Sequence, residues 1–325
     1  MTPVAATAQA PYSVQTKWTI GGEGGWDYLA VDAPSHRLYI THGTQVEVLD
    51  TATGKSAGTI TGFKRLHGVV FDSTGKFGFV SDGGAGEVVA FDRGTLEKVA
   101  SIPAGKNPDG LLFEPATKTV WAFNGGSSDA TVIDASKRTV LATIALPGKP
   151  EFPEADGSGN VFVNIEDKNE IVRLDAKTLK ATATWPLPGC ESPSGLAIDT
   201  AGHRLFSVCD GKVMAVTDAT TGKHLATVAI GEGPDAAGYD PAHKVAFSSN
   251  GDGTLTVVDA GKSSYPVLQT VNTERGARTM SFDSSNGKVY LITASFGPKP
   301  APTAENPRPR PAIVPGSFHV IVVGR

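Results

Sequence analysis

Short segments rich in Val, Thr, Leu and Phe recur along the whole chain, and clusters of Gly, Asp, Pro and Asn separate them. One unit reads NPDGLLFEP from Asn107, TVWAFNGG from Thr119, ATVID from Ala130 and TVLATI from Thr139. The unit that begins at Gly233 has the same order of segments. Short β-branched and aromatic runs bounded by turn residues are typical of β-strands. Each unit therefore predicts four short strands, and we expect an all-β protein.

An acidic residue recurs at the end of the first predicted strand and gives the period of the repeat. These acids are Asp32, Asp72, Glu114, Asp156, Asp199, Asp240 and Asp283. The positions five residues earlier, called the ring residues below, are Asp27, His67, Asp109, Glu151, Ser194, Asp235 and Arg278. They follow one another at intervals of 40 to 43 residues. Seven four-stranded units at this period predict a single seven-bladed β-propeller.

The two ends of the chain are predicted to meet in the last blade. Its first three strands are expected near residues 279–283, 288–293 and 318–323, after which the chain ends. The N-terminal run VQTKWTI at 14–20 supplies a fourth strand. This pairing would close the ring and leave no open sheet edge.

The propeller is predicted to span residues 14–325 as one domain. Residues 1–13 are expected to be a disordered remnant of an export signal or of the expression vector, because they are small, uncharged and end near an Ala-Gln-Ala triplet. A Pro-rich loop at 296–317 departs from the repeat. It joins two strands of the last blade and is predicted to act as a lid or partner-docking strap, with Arg308 and Arg310 attracting an anion.

Composition excludes several classes of protein. The 325 residues contain 29 Lys and Arg against 33 Asp and Glu, so a net charge of −4 gives no general attraction to nucleic acid. No apolar run approaches the roughly 20 residues of a membrane span. Two cysteines cannot build a disulfide-dense scaffold or a Cys-only zinc site. We expect a monomer that binds neither nucleic acid nor membrane.

Parts of the repeat resemble the YVTN-repeat, YncE-like β-propellers. The resemblance rests on VID…ATI…GKP from Val132 and on VMAVTD…GK…ATVAIGEGP from Val213, and it covers residues 14–323. The literal tetrapeptide is replaced by YITH, FVSD, AFNG and FSSN, which begin at Tyr39, Phe79, Ala122 and Phe247. The resemblance implies a propeller of the bacterial cell envelope and selects no reaction. More distant seven-bladed propellers include an antibiotic lyase and metal-dependent hydrolases.

The ring residues are predicted to surround the mouth of the central channel, because each begins the innermost strand of its blade. A second ring is expected fifteen residues further on, at the end of each second strand. Its members are His42, Asp82, Asn124, Asn164, Cys209, Asn250 and Thr293, with Asn164 taking the fourth place after a shorter loop.

Three interpretations of these rings remain open. The first is a divalent metal site formed from Asp109, Glu151, Asp235, His67 and His42, since carboxylate and imidazole ligands suit Ca²⁺, Mg²⁺, Zn²⁺, Mn²⁺ or Fe²⁺. The second is acid–base chemistry with His67, Asp235 and Arg278 as catalytic residues. The third is structural, because Asp and Asn at strand ends often bind turn N–H groups.

A small anionic ligand, or a protein partner, is expected at the same face. The candidate ligand-binding residues are Trp26, Asp27, Asn124, Ser194, Asn250 and Arg278. Arg278 either neutralises the neighbouring acids or receives an anionic group. We therefore weigh an exported ligand-binding propeller, periplasmic or secreted, against a metal-dependent lyase or hydrolase that uses the same ring.

The two cysteines flank the first two strands of the fifth unit. Antiparallel pairing would bring Cys190 and Cys209 together, and in an exported protein they would form a disulfide. The alternative is thiolate ligation of a soft metal such as copper beside His42.

Overall fold

The computed structural model describes residues 10–303, 309 and 311–325. It contains seven four-stranded antiparallel sheets arranged as the blades of a β-propeller. Blade 7 is completed by the first strand, β1 (Ser13–Thr19).

The strands of blades 1 to 3 follow in chain order. Blade 1 contains β2 (Trp26–Asp32), β3 (Arg37–His42), β4 (Gln45–Asp50) and β5 (Ser56–Ile60); blade 2 contains β6 (Leu66–Phe71), β7 (Phe77–Asp82), β8 (Glu87–Asp92) and β9 (Lys98–Pro103); blade 3 contains β10 (Pro108–Glu114), β11 (Thr119–Asn124), β12 (Asp129–Asp134) and β13 (Thr139–Ala145). A single turn of 3₁₀-helix, Ala33–Ser35, joins β2 to β3.

Blades 4 to 7 repeat this order. Blade 4 contains β14 (Pro150–Ala155), β15 (Asn160–Ile165), β16 (Glu170–Asp175) and β17 (Lys180–Pro186); blade 5 contains β18 (Pro193–Asp199), β19 (Arg204–Cys209), β20 (Val213–Asp218) and β21 (His224–Ala229); blade 6 contains β22 (Pro234–Asp240), β23 (Val245–Asn250), β24 (Thr254–Asp259) and β25 (Val267–Asn272); blade 7 contains β26 (Met280–Asp283), β27 (Lys288–Thr293), β28 (His319–Gly324) and β1. A second 3₁₀ turn, Glu166–Lys168, joins β15 to β16.

The predicted closure is confirmed. Strand β1 pairs antiparallel with β28, from Ser13 opposite Gly324 to Thr19 opposite His319. The folded region begins slightly before the predicted boundary at residue 14, because Tyr12 is buried and packs edge-on against Phe247 of blade 6. Residues 1–9, which carry the rest of the predicted disordered remnant, lie outside the described part of the chain.

Hydrophobic side chains pack between adjacent blades. Tyr39 and Val48 of blade 1, for example, lie in one buried cluster with Val80 and Phe91 of blade 2. Burial of apolar area contributes about 25 cal/mol per Å², so these interfaces are the main source of stability. The described residues contain no helix that is long and apolar enough to cross a membrane.

The recurring acids at the ends of the inner strands hold the turns that follow them. Glu114 accepts a hydrogen bond from the backbone N–H of Thr117 at 2.7 Å, and Asp240 accepts one from Ala242 at 2.9 Å. Such turns explain why an acid marks every repeat. These turns lie at the end of the channel opposite the ring residues, which we call the turn face.

Glycine allows the inner strands to approach one another closely. A Cβ atom at Gly110 would lie 2.7 Å from the carbonyl oxygen of Glu151, and one at Gly195 would lie 2.6 Å from the Cα of Ala236. These positions directly follow the ring residues Asp109 and Ser194, so their small size sets the width of the channel below the ring.

Candidate functional site

A β-bulge lies at the ring position in six of the seven blades. The pairing of the inner strand with its neighbour shifts between Pro108 and Leu111 in blade 3, and equivalent shifts occur in blades 1, 2, 4, 5 and 6. A bulge leaves residues out of the ladder and redirects their side chains. These bulges therefore take the ring residues out of the regular ladder, so that their side chains can contact those of neighbouring blades.

Three ring residues from consecutive blades form the centre of the site. The Nδ1 atom of His67 lies 2.5 Å from Oδ2 of Asp27 and 3.6 Å from Oδ1 of Asp109. One ligand atom from each of the three side chains lies within 4.8 Å of the others, which is close enough to share a metal ion. The His67 side chain is 4% exposed and those of Asp27 and Asp109 are 25% and 16% exposed, so the two carboxylates face the channel.

The imidazole of His67 and the carboxylates of Asp27 and Asp109 influence the pKa values in this cluster. Burial alone would lower the pKa of His67, but the hydrogen bond to Asp27 and the charges of Asp109 and Asp27 outweigh burial and raise it above 6.5. Burial, together with the charge of Asp27, raises the pKa of Asp109 to about 6 despite the opposing effect of His67. The cluster thus carries closely spaced negative charge that a cation would stabilise.

Two further ring carboxylates each have a basic partner. Glu151 lies 2.6 Å from Nζ of Lys149, and Asp235 lies 3.2 Å from Nε of Arg278. Burial and the charge of Asp109 raise the pKa of Glu151 to about 8, although Lys149 opposes this shift. Burial raises the pKa of Asp235 to about 7 against the opposing charge of Arg278, and Asp27 and Asp109 add to the rise.

Tyr28 lies beneath these acids and closes the channel below them. Its side chain is buried, and its ring meets that of Phe152 from blade 4 edge-on at 5.2 Å between centroids. Burial, followed by the charges of Asp235, Asp109, Asp27 and Glu151, raises its pKa well above 10.0. One phenol therefore interacts electrostatically with all four ring carboxylates, which shows that they converge.

Side chains of the preceding blade hold the backbone of several ring residues. Thr41 donates a hydrogen bond to the carbonyl of His67 at 2.9 Å, and Ser81 donates one to that of Asp109 at 2.7 Å. The hydroxyl of Ser249 donates a hydrogen bond to the carbonyl of Arg278. We did not predict these positioning residues, although each is a small polar residue within an apolar second strand.

The second ring is not brought to the channel. His42 is 2% exposed and stacks on Phe318 at 4.0 Å between ring centroids, with Nδ1 3.8 Å from Glu47. Asn124 is fully buried and its amide donates to Asp129 and Thr131 within its own blade.

Asn250 is also buried inside its blade, where its amide donates to Thr254 and Thr256 at 3.0 and 3.1 Å. Blade 4 needs a correction, because Ile165 rather than Asn164 pairs with the start of the inner strand. Asn164 instead donates to the carbonyl of Ser194 at 3.0 Å. The hydroxyl of Ser194 donates to the carbonyl of Pro234 at 3.1 Å, so this ring residue joins blade 5 to blade 6.

A pocket of about 440 Å³ lies beside the ring on the same face. Trp26, Phe296, Arg275, Arg278 and Ile313 contribute to its walls. The rings of Trp26 and Phe296 lie 6.1 Å apart, and the Arg278 side chain is 52% exposed. No carboxylate among the described residues lies within 4.0 Å of the Arg275 guanidinium. The pocket thus combines aromatic surface with exposed positive charge.

The inserted loop contributes one wall of this pocket. Phe296 forms an isolated β-bridge with Ile313, which draws the two ends of the insertion together. Pro311 and Ile313 then lie against the pocket. Arg308 and Arg310, for which an anion-attracting role is predicted, lie outside the described residues.

Cys190 and Cys209 form a disulfide in blade 5, with their Cα atoms 5.4 Å apart. Because the bond consumes both thiols, neither is available to ligate copper, and the chain has no free cysteine.

The comparison with solved structures supports the fold. Hydrazine synthase from Kuenenia stuttgartiensis is similar to this chain with a TM-score of 0.75 and 15% sequence identity, over 84% of this chain and 93% of that one. At this identity the likeness shows the propeller fold alone. No protein-family model matches the chain, and no curated protein does.

Proposed function

We propose that this protein is an exported, YncE-like β-propeller that binds one divalent cation at the mouth of its channel. The observation that carries the proposal is the Asp27–His67–Asp109 cluster, whose ligand atoms all lie within 4.8 Å of one another. The Nδ1 atom of His67 is the nitrogen that faces both carboxylates. Two carboxylates with one imidazole favour Mn²⁺, Fe²⁺ or Zn²⁺ over Ca²⁺.

The electrostatics of the ring support a cation at this position. Burial, with a further contribution from the neighbouring acids, raises the pKa values of Asp109, Glu151 and Asp235, so these carboxyls are harder to ionise when no cation is bound. A divalent ion would take the place of their protons and keep the carboxylates ionised. The competing structural explanation is a protonated His67 that simply bridges Asp27 and Asp109.

The adjoining pocket supports a small anionic ligand as the second component. Arg278 uses Nε to pair with Asp235, and its side chain is half exposed, so the rest of the guanidinium faces the pocket. Trp26 and Phe296 offer apolar surface beside it. A planar carboxylate fits this combination, because arginine binds carboxylates through two parallel hydrogen bonds.

Export is supported by the Cys190–Cys209 disulfide, because disulfides persist in oxidising compartments such as the periplasm. The periplasm or the extracellular space is therefore the proposed location.

Metal titration of matched histidine variants tests the proposal. Three proteins are compared: wild type, His67→Asn and His36→Asn. Each is stripped of metal with a chelator and titrated calorimetrically with MnCl₂ and with ZnCl₂. His36 is exposed in a turn on the turn face, and asparagine tolerates its left-handed backbone with φ 55°. We expect one equivalent of metal in the wild type and in His36→Asn, and none in His67→Asn. Equal binding by all three proteins would contradict the site.

A metal-dependent lyase or hydrolase that uses the same ring is the second candidate. The observation that favours it is the pKa of Asp235, raised to about 7 by burial, because a general acid or base works best near the ambient pH. Screening anionic esters and lactones against metal-loaded wild type and Asp235→Asn tests this alternative. Turnover by the wild type that Asp235→Asn lacks would establish the enzyme.

A further inference from the structure

A second cavity lies in the central channel, on the other side of the Tyr28–Phe152 contact from the ring residues. Its volume is about 640 Å³, and Thr200, Pro241 and Ser284 place its opening among the turns of the turn face. Pockets that hold small molecules typically enclose about 300 to 1,000 Å³. We call this space the channel cavity.

Apolar side chains contribute much of the lining of the channel cavity, and polar groups contribute most of the rest. Side chains from different blades converge on it, among them Val31, Val70, Phe71, Phe113, Met280 and Phe282. Displacing water from the apolar part of this surface favours the binding of a molecule with an apolar body. The flexible thioether of Met280 can also adjust to the shape of a ligand.

Two carboxyl groups, Glu154 and Asp199, line the channel cavity, and Glu154 is the one at an inner-strand position that is uncharged in every other blade. The equivalent positions of the other blades are uncharged and are occupied by Ala30, Val70, Leu112, Ala197, Gly238 and Ser281. Burial raises the pKa of Glu154 to about 8, and the only other influence on it is a hydrogen bond from the backbone of Ala155. Keeping a carboxyl in such a place is costly unless something compensates its charge.

No residue of the described chain provides that compensation. The other acid that lines the channel cavity, Asp199, is bound by Arg204 through Nε at 3.1 Å and through a terminal nitrogen. Glu154 has no ion pair with any described basic side chain. The remaining titratable groups of the lining are the phenols of Tyr28 and Tyr239, whose pKa values burial raises. In the free protein Glu154 avoids this cost by keeping its proton, and a bound cation would instead stabilise its ionised form.

We infer that the channel cavity binds a small molecule that joins an apolar body to a protonated amine, with Glu154 as its counter-ion. The amine would hydrogen-bond to the carboxylate, and the body would pack against Phe71, Phe113 and Phe282. The aromatic rings of the same lining would add a favourable interaction with a cation that lies over their faces. This site is separate from the ring, because Tyr28 and Phe152 lie between them.

Calorimetric titration with phenethylamine and with its neutral isostere 2-phenylethanol tests the inference at pH 7. We compare wild type, Glu154→Gln and Glu151→Gln, the last of which removes a carboxyl of the ring instead. We expect Glu154→Gln to weaken phenethylamine binding by about tenfold to a hundredfold, since hydrogen bonds to charged groups are among the strongest. Binding of 2-phenylethanol should be unchanged in all three proteins.

Proton release provides a second measurement. Because Glu154 is mostly protonated at pH 7 in the free protein, binding of the amine should release close to one proton, detected by repeating the titration in buffers of different ionisation enthalpy. Glu154→Gln should release none. The inference is overturned if the wild type does not bind the amine, or if Glu151→Gln loses binding while Glu154→Gln keeps it, which would place the amine at the ring. Near-UV circular dichroism checks that each variant is folded.

Discussion

Replacing Asp235 by asparagine should stabilise the metal-free protein, and increasingly so as the pH rises. Burial raises the pKa of this carboxyl from 3.8 to about 7 in the folded state. Between these two values the folded protein binds more protons than the unfolded chain, so its stability falls as the pH increases. The loss is complete once the pH exceeds the folded pKa near 7. Asparagine has the same shape and no such penalty.

The magnitude follows from the slope of this dependence. Each pH unit between the two pKa values costs the wild type about 1.4 kcal/mol, so the advantage of Asp235→Asn should grow by about 2 to 3 kcal/mol between pH 5 and pH 8. The pKa near 7 already includes the opposing charge of Arg278, so the loss of that ion pair is part of this figure.

Urea denaturation at pH 5, 6, 7 and 8 in the presence of a chelator measures the effect. The matched control is Asp175→Asn, in an exposed turn where the side chain accepts hydrogen bonds from Lys177 and Thr178 that asparagine retains. The pKa of Asp175 is lowered by these bonds, so it is ionised in both states above pH 5 and its variant should show no trend with pH. A difference between Asp235→Asn and wild type that stays constant from pH 5 to 8 would refute the argument.

Three other predictions concern the framework around the site. Replacing both Cys190 and Cys209 by alanine opens a loop with a sequence separation of 19, and should lower the free energy of unfolding by about 3 kcal/mol; an unchanged guanidinium midpoint would contradict this. Gly110→Ala should cost about 1 to 3 kcal/mol in thermal unfolding, because the new Cβ would meet a backbone carbonyl at 2.7 Å, whereas Gly25→Ala meets nothing within 4 Å and should be neutral. Replacing residues 299–312 by a short Gly-Ser linker should leave the propeller folded by circular dichroism, and unfolding would show that the insertion is not a surface loop.

The fold could be predicted from sequence because each inner strand ends in an acid that binds the turn that follows it. Acids such as Glu114 and Asp240 recur since they hold the turn after the inner strand, so the period can be counted without knowing the structure. Closure could be predicted from strand counting, because the last repeat lacks a fourth strand and the segment at 14–20 has no partner in its own repeat.

The ring was predictable in position but not in its contacts. Counting back five residues finds Asp27, His67 and Asp109. The sequence does not show that these three meet, or that Glu151 instead pairs with Lys149, the residue before its own strand. All four ring residues lie at equivalent bulges, so the contacts depend on which side chains face one another at each blade boundary. A bulge changes register by one residue and leaves little trace in composition.

The second ring was placed wrongly in space because a strand end was equated with the channel. His42 lies opposite Trp26 in the ladder, and opposite residues point to the same face of a sheet. That face packs against blade 7, where both side chains contact Phe318. The side chain therefore follows the face of the sheet rather than the mouth of the channel.

The two ends of the channel differ chemically, and the contact between Tyr28 and Phe152 lies between them. The residue after each ring position is glycine in blades 2, 3 and 5, where a Cβ atom would meet the backbone of the next blade. Tyr28 and Phe152 are the large side chains at this level of the channel. Above this contact, carboxylates gather around His67 and favour a cation. Below it, Glu154 lies among mainly apolar side chains, and the other acid of the lining, Asp199, is paired with Arg204. Burial raises the pKa of both Tyr28 and Glu154, and the charges of the ring acids add to the rise at Tyr28. The two ends of the channel therefore present different chemistry to a ligand.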